Sequence, residues 1–97
     1  MTAGSQRRTT AGVVGTSGKI IRCFGYTMRS GPGGTGTVTL YDGTSTSGTE
    51  KWIGTGNIDA SSDKVFGAKG KYFPSGLYAD IDSNVQYVDF DYVQENA

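Results

Sequence analysis

Few residues in this chain carry side chains that could do chemistry. Among its 97 residues there is no histidine, and Cys23 is the single cysteine. Histidine is the commonest general base and metal ligand, and one cysteine cannot form an intramolecular disulfide or a cysteine-rich zinc site. No nucleophile has an activating neighbour in the sequence. We therefore expect a non-enzymatic protein without a cofactor, in which Cys23 is a small buried apolar residue.

Four aspartates near the end of the chain could act together. Asp80, Asp82, Asp89 and Asp91 alternate along the last two predicted strands, which places them on outward faces. They could gather a hard cation such as calcium, form solvated faces that discourage wrong strand pairing, or contact a basic partner. The spacing is not that of an EF-hand loop, so we assign no metal to them.

The charges are sorted along the chain although their sum is zero. Residues 1–29 hold five basic side chains and no acid, and residues 80–97 hold five acids and no base. Such sorting bears on association more than on fold. Arg7 and Arg8 have no interleaved aromatic residues, which disfavours nucleic-acid binding. We predict that the basic segment meets the acidic strands on its own or another copy. The predicted contact residues are Arg7, Arg8, Trp52, Asp80, Asp82, Asp89 and Asp91.

Two other features have a functional and a structural interpretation. Trp52 could stack on a sugar together with Tyr72 and Tyr78, but an isolated tryptophan in a short strand is more often a core or interface anchor. The glycine-rich segment 31–36 resembles a phosphate-binding loop, yet it leads into a predicted strand and lacks the Gly-Lys-Ser/Thr sequence. We interpret that segment as a connection between strands.

The elements that would position these residues are strands. Sixteen glycines, many threonines and alternating apolar residues favour short strands with tight turns, and no helix is predicted. The pattern predicts a small antiparallel β-sandwich or barrel of about seven strands. Residues 1–12 are polar and predict a flexible N-terminal arm, although residues 7–14 could instead form a first edge strand. Residues 13–97 predict a single domain, and residues 61–63 a turn.

Alternation within the strands predicts the core. The inward positions are Ile21, Val38, Leu40, Leu77, Ile81, Val88 and Phe90. In the strand that begins near Lys19, Ile21 and Cys23 are expected on one side, and Arg22, Phe24 and Tyr26 on the other. Gly25 within that strand indicates a bulge or a close backbone approach.

Two segments carry a resemblance to a known class of proteins. The runs Gly36–Gly43 (GTVTLYDG) and Gly76–Ile81 (GLYADI), followed by a closing strand, resemble small all-β virion proteins of tailed bacteriophages. The resemblance covers about residues 19–93 and rests on strand and turn patterns, so it assigns no site residue. It implies a capsid decoration, or cement, protein.

The resemblance and the residues together give the functional expectation. We expect a decoration protein on the capsid surface of a virion, made in the host cytoplasm, that binds the major capsid protein or other virion proteins. We also expect a homo-oligomer, trimer or dimer, with no nucleic-acid partner, no membrane span and no secretion signal. The alternatives are a head–tail junction or tail component and, from another class, a small carbohydrate- or ligand-binding β-module.

Overall fold

The computed structural model describes residues 2–95, which contain nine β-strands and no helix. In chain order the strands are β1 (Thr2–Arg8), β2 (Gly12–Val14), β3 (Ile20–Ser30), β4 (Thr37–Asp42), β5 (Thr49–Thr55), β6 (Ser61–Val65), β7 (Lys71–Phe73), β8 (Leu77–Ile81) and β9 (Val85–Glu95). The predicted all-β class is confirmed, with nine strands instead of about seven. One of the additional strands, β6, begins at Ser61, where the polar residues predicted a turn.

The strands form two antiparallel sheets. The first has the order β1–β9–β3–β6, and β7 pairs with β3 on the same side as β6. The second has the order β2–β8–β4–β5. The chain passes from the first sheet to the second directly after β1, through a three-residue corner at residues 9–11. The inner faces of both sheets enclose the core, as in a small β-sandwich.

The core contains every residue that alternation predicted for it. Each of the seven has an exposed fraction of 9% or less. Met28, Phe73 and Cys23 join them, and Trp52 and Tyr92 pack against the edge of the cluster. Period-two alternation therefore identified the buried faces of β4, β8 and β9, and that of β3 as far as Cys23.

The bulge predicted at Gly25 is present and changes the face of the residue that follows it. The register of β3 against β9 shifts between Cys23 and Gly25, so that Cys23 and Tyr26 both point into the core. A Cβ atom on Gly25 would lie 2.3 Å from the carbonyl oxygen of Lys64, so the close approach of β6 requires glycine. The outward position expected for Tyr26 is therefore wrong, because the extra residue reverses the alternation.

The arm expected over residues 1–12 is part of the fold from Thr2 onward; Met1 lies outside the described residues. Each residue of β1 faces a residue of β9, from Thr2 opposite Gln94 to Arg8 opposite Val88. Gly12 likewise pairs with Ala79 on β8. An edge strand needs backbone partners on one side only, so it can form from polar residues that show no burial pattern.

Candidate interaction surface

Arg7 forms its ion pair within the chain. Its Nε donates to Oδ1 of Asp89 over 2.7 Å and its Nη2 to Oδ2 over 2.9 Å, while the guanidinium lies 3.9 Å from the centroid of the Tyr87 ring. Hydrogen bonding from Arg7 lowers the pKa of Asp89, and the same hydrogen bond raises the pKa of Arg7. The predicted attraction between the basic and acidic segments therefore joins β1 to β9 of one molecule.

Two further arginines have acidic partners in the same molecule. Arg22 donates to Glu95 over 3.0 Å and Arg29 to Asp59 over 2.9 Å. Arg8 binds backbone instead: its Nε donates to the carbonyl of Thr10 and its Nη2 to that of Ala11, each over 3.1 Å. Of the predicted pair, only Arg7 contacts an aspartate in the described part of the chain.

The four predicted aspartates do not form one cluster. Asp89 and Asp91 lie on β9 in the first sheet, whereas Asp80 lies on β8 in the second. Asp82 lies in the turn after β8, where its carboxylate accepts a hydrogen bond from the backbone N–H of Asn84 over 3.0 Å. Within residues 2–95 no three carboxylate or thiol groups are arranged to hold a metal ion.

The three aromatic residues proposed as a sugar platform are separated. Trp52 lies against the core: its Nε1 donates to the hydroxyl of Tyr26 over 3.0 Å, and its ring meets Phe66 edge-on at 5.3 Å between centroids. Tyr72 lies on β7 beside Arg22, and Tyr78 on β8 beside Tyr41. The three rings thus belong to different contacts, which removes the geometric basis for a shared sugar platform.

Two depressions lie on the outer face of the first sheet, on both sides of the β3 bulge. One has a volume of about 300 Å³ and the other about 330 Å³, and the half-buried ring of Phe24 lines both. We call them together the bulge groove. Its lining residues are Arg22, Phe24, Gly25, Tyr26, Thr27, Asp63, Lys64, Val65, Ala68, Lys69, Asp91 and Val93.

Apolar side chains remain accessible in and beside the bulge groove. Val65 on β6 is 74% exposed, and Tyr72 on the adjacent β7 is 40% exposed. Val93 of β9 lies half-buried in the wall of the groove. Large exposed apolar side chains are unremarkable singly, but when grouped they indicate an interaction surface.

The charged side chains of the bulge groove are distributed unevenly between its two depressions. The smaller depression is lined by Lys69 and by Arg22, which is paired with Glu95. The larger is lined by Asp63, Asp91 and Lys64, and the ammonium of Lys64 lies over the Trp52 ring, 4.6 Å from its centroid. A partner would therefore meet positive charge at one end and negative charge at the other. Charges arranged in this way favour one orientation of a partner over the reverse.

Sequence reasoning identified Asp91 but not the apolar residues around it. Phe24 was placed outward correctly, but Val65 was not recognised as a strand residue facing the same surface. The groove depends on strands β3, β6 and β9 lying side by side, and the only sequence signal for its position was the bulge at Gly25.

Comparisons with protein-family models, curated proteins and solved structures find no match to this chain. None of the described residues forms a helix that is long and apolar enough to cross a membrane.

Proposed function

We propose that this chain is a non-enzymatic structural protein that docks on a larger protein assembly, and specifically that it decorates the capsid of a tailed bacteriophage. A decoration protein is a small rigid domain that contacts neighbouring capsid subunits through its surface. The two-sheet fold with a buried core supports the rigid-domain part of this role. The virion part of the proposal rests on the sequence resemblance.

The observation that carries the proposal is the bulge groove. It combines the exposed side chain of Val65 and the half-buried side chains of Phe24 and Val93 with charges of opposite sign at its two ends. Apolar contact provides affinity in protein interfaces, while the surrounding charges provide orientation and a faster encounter. A sheet face with these properties suits docking on the surface of a protein lattice.

The virion location can be tested on particles purified through a density gradient from a phage-producing culture. An antibody against the chain, coupled to gold, should label the heads in electron micrographs. Labelling at the neck or along the tail would instead support the alternative role as a head–tail junction or tail component. Recovery of the chain only from the soluble fraction, with unlabelled particles, would overturn the virion role.

The role of the groove can be tested by rebinding. Particles from which the chain has been removed should bind added wild-type protein, and V65E should bind at least about tenfold more weakly because it places a charge in an apolar contact. The matched control is I53E, since Ile53 is also an exposed β-branched strand residue, 52% accessible, but lies on β5 in the other sheet. Equal binding by the two variants would exclude the groove as the docking surface.

A further inference from the structure

Strand β1 is held to the domain without contributing to its core. The buried apolar residues of the described chain begin with Val14 and include none from β1. The contacts of β1 are its backbone ladder with β9 and a small set of side-chain contacts. Moving β1 away would therefore leave the core intact but would expose the backbone hydrogen-bonding groups of β9.

The place that β1 occupies is specific for its own sequence. Opposite Gly4, the Tyr92 ring lies so close that a Cβ atom on Gly4 would be 2.6 Å from it. Two positions further on, the side-chain amide of Gln6 donates to the carbonyl of Val13 over 3.1 Å and accepts from the N–H of Gly15 over 2.8 Å.

The next residue of the strand adds a charged contact. The two parallel hydrogen bonds from Arg7 to Asp89 fix the register of the ladder, because a shift by one residue would break both. A glycine, a glutamine and an arginine are thus recognised at three defined positions of one strand. We call the edge of β9, together with Tyr92, Asp89 and the backbone of residues 13–15, the strand slot.

The corner after β1 is short and is held by one side chain. Residues 9–11 connect β1 to β2, and the guanidinium of Arg8 folds over them to bind the carbonyls of Thr10 and Ala11. A Cβ atom on Gly12 would lie 2.1 Å from Nη2 of Arg8, so a larger residue there would displace the guanidinium from the corner. Short hinges of this kind favour exchange of a strand between molecules. Opening this one would give up the bonds of Arg8 within the corner, while the contacts of β1 with β9 would form again between two copies.

We propose that the strand slot of one molecule binds β1 of a second copy, so that copies join by exchanging β1. Every contact that recognises Gly4, Gln6 and Arg7 in the closed molecule would be made identically between two molecules. The second copy is the occupant because it supplies the one segment that carries these residues in this order and register. This inference goes beyond the docking role and does not depend on where the domain docks.

A charge-reversal mixture tests the exchange. R7E alone and D89R alone each place like charges opposite each other in the closed molecule. In an exchanged dimer of one R7E chain and one D89R chain, both slots regain opposite charges. The two full-length variants are unfolded together in urea, refolded by dilution at high protein concentration and weighed by native mass spectrometry. We expect the mixed dimer to exceed either homodimer about tenfold.

The matched control is the double variant R7E/D89R, which regains opposite charges within one closed chain. It should show no enrichment of mixed dimers with wild-type protein, because neither partner gains from exchange. A mixture of the single variants that remains monomeric, or that forms mixed and identical dimers in statistical proportion, would overturn the proposal.

A second test of the exchange uses a disulfide between two copies and does not depend on charge. Ser5 faces Asp91 in the β1–β9 ladder, at a separation that suits a disulfide. When chains carrying S5C are mixed with chains carrying D91C under air oxidation, exchange of β1 holds the two thiols together, whereas copies that have not exchanged form a disulfide only by random encounter. We expect at least about tenfold more S5C–D91C dimer than S5C–T46C dimer, because Thr46 lies in an exposed loop away from the ladder. Equal dimer yields from the two mixtures would overturn the proposal.

Discussion

Arg7 and Asp89 face each other directly in the β1–β9 ladder and are joined by two parallel hydrogen bonds. They are 82 residues apart in the chain, one in the basic segment and one in the acidic segment. Adjacent antiparallel strands bring such segments together, and opposite charges directly across a ladder favour the correct register. One contact between the basic and the acidic segment, that of Arg7 with Asp89, therefore helps to set the register of β1 against β9.

The first prediction concerns the titration of Asp89. Its pKa is lowered by the hydrogen bonds from Arg7 in the folded state, so its ionised form favours folding. The stabilising contribution should be present above the pKa of an unfolded aspartate, about 3.9, and should be lost as the pH falls through the lower folded value. Carboxyl NMR chemical shifts measured against pH should give this lowered value.

The same titration in R7A tests whether Arg7 causes the lowered pKa of Asp89. Without the guanidinium, the pKa of Asp89 should rise toward the ordinary range, and the acid dependence of the unfolding midpoint should weaken. Because the pair is exposed, added salt should also reduce the difference between wild type and R7A. An unchanged Asp89 pKa in R7A would show that another group causes the shift.

A second prediction concerns the core around Phe90. Its side chain is fully buried, and its ring centroid lies 5.9 Å from that of Tyr26. Phe90→Ala should lower the free energy of unfolding by about 3–5 kcal/mol, measured in denaturant, because it leaves a cavity between the sheets. Val65→Ala is the control: Val65 is 74% exposed, and its truncation should change stability by less than about 0.5 kcal/mol.

The buried faces could be predicted from sequence because alternation is a local property. Val38 and Leu40 on β4, and Leu77 and Ile81 on β8, follow the period of two that a half-buried strand imposes. At Gly25 the bulge itself was predictable, but its effect on Tyr26 was not. The direction of a side chain after a bulge depends on how the partner strand continues the ladder.

The edge strands and the surface were harder to predict for a different reason. β1 and β6 are rich in Ser, Gln, Arg, Asp and Lys, which are also typical of loops. Their strand conformation comes from backbone bonds to β9 and β3, which side-chain patterns do not report. The bulge groove likewise depends on which strands are neighbours, as with Val65 and Asp91 on either side of Gly25.

A third prediction concerns the reactivity of Cys23. Burial raises the pKa of its thiol to about 11, so the thiol is protonated at neutral pH and is also shielded from reagents. Native protein should react with a disulfide reagent such as DTNB at least about a hundredfold more slowly than protein in guanidinium chloride. An exposed thiol introduced by T46C gives the reference rate in the native state. Reaction of native Cys23 at that reference rate would contradict the buried position.

The last prediction concerns the hydrogen bond between Trp52 and Tyr26. The indole Nε1–H donates to the tyrosine hydroxyl over 3.0 Å, and burial raises the pKa of that hydroxyl, which remains protonated at neutral pH. Tyr26→Phe removes the acceptor but keeps the ring, so stability should fall by about 1 kcal/mol. Trp52 is the single tryptophan, so its indole N–H gives one unambiguous NMR signal.

In Y26F that signal should move upfield and its hydrogen should exchange faster with solvent, because the donor has lost its partner. Tyr78→Phe is the matched control, since Tyr78 packs against Tyr41 on β4 and does not bind the indole. In Y78F the indole N–H signal of Trp52 should stay at the wild-type position. An unchanged signal in Y26F would show that the indole N–H is not bound to Tyr26 in solution, which would contradict this hydrogen bond.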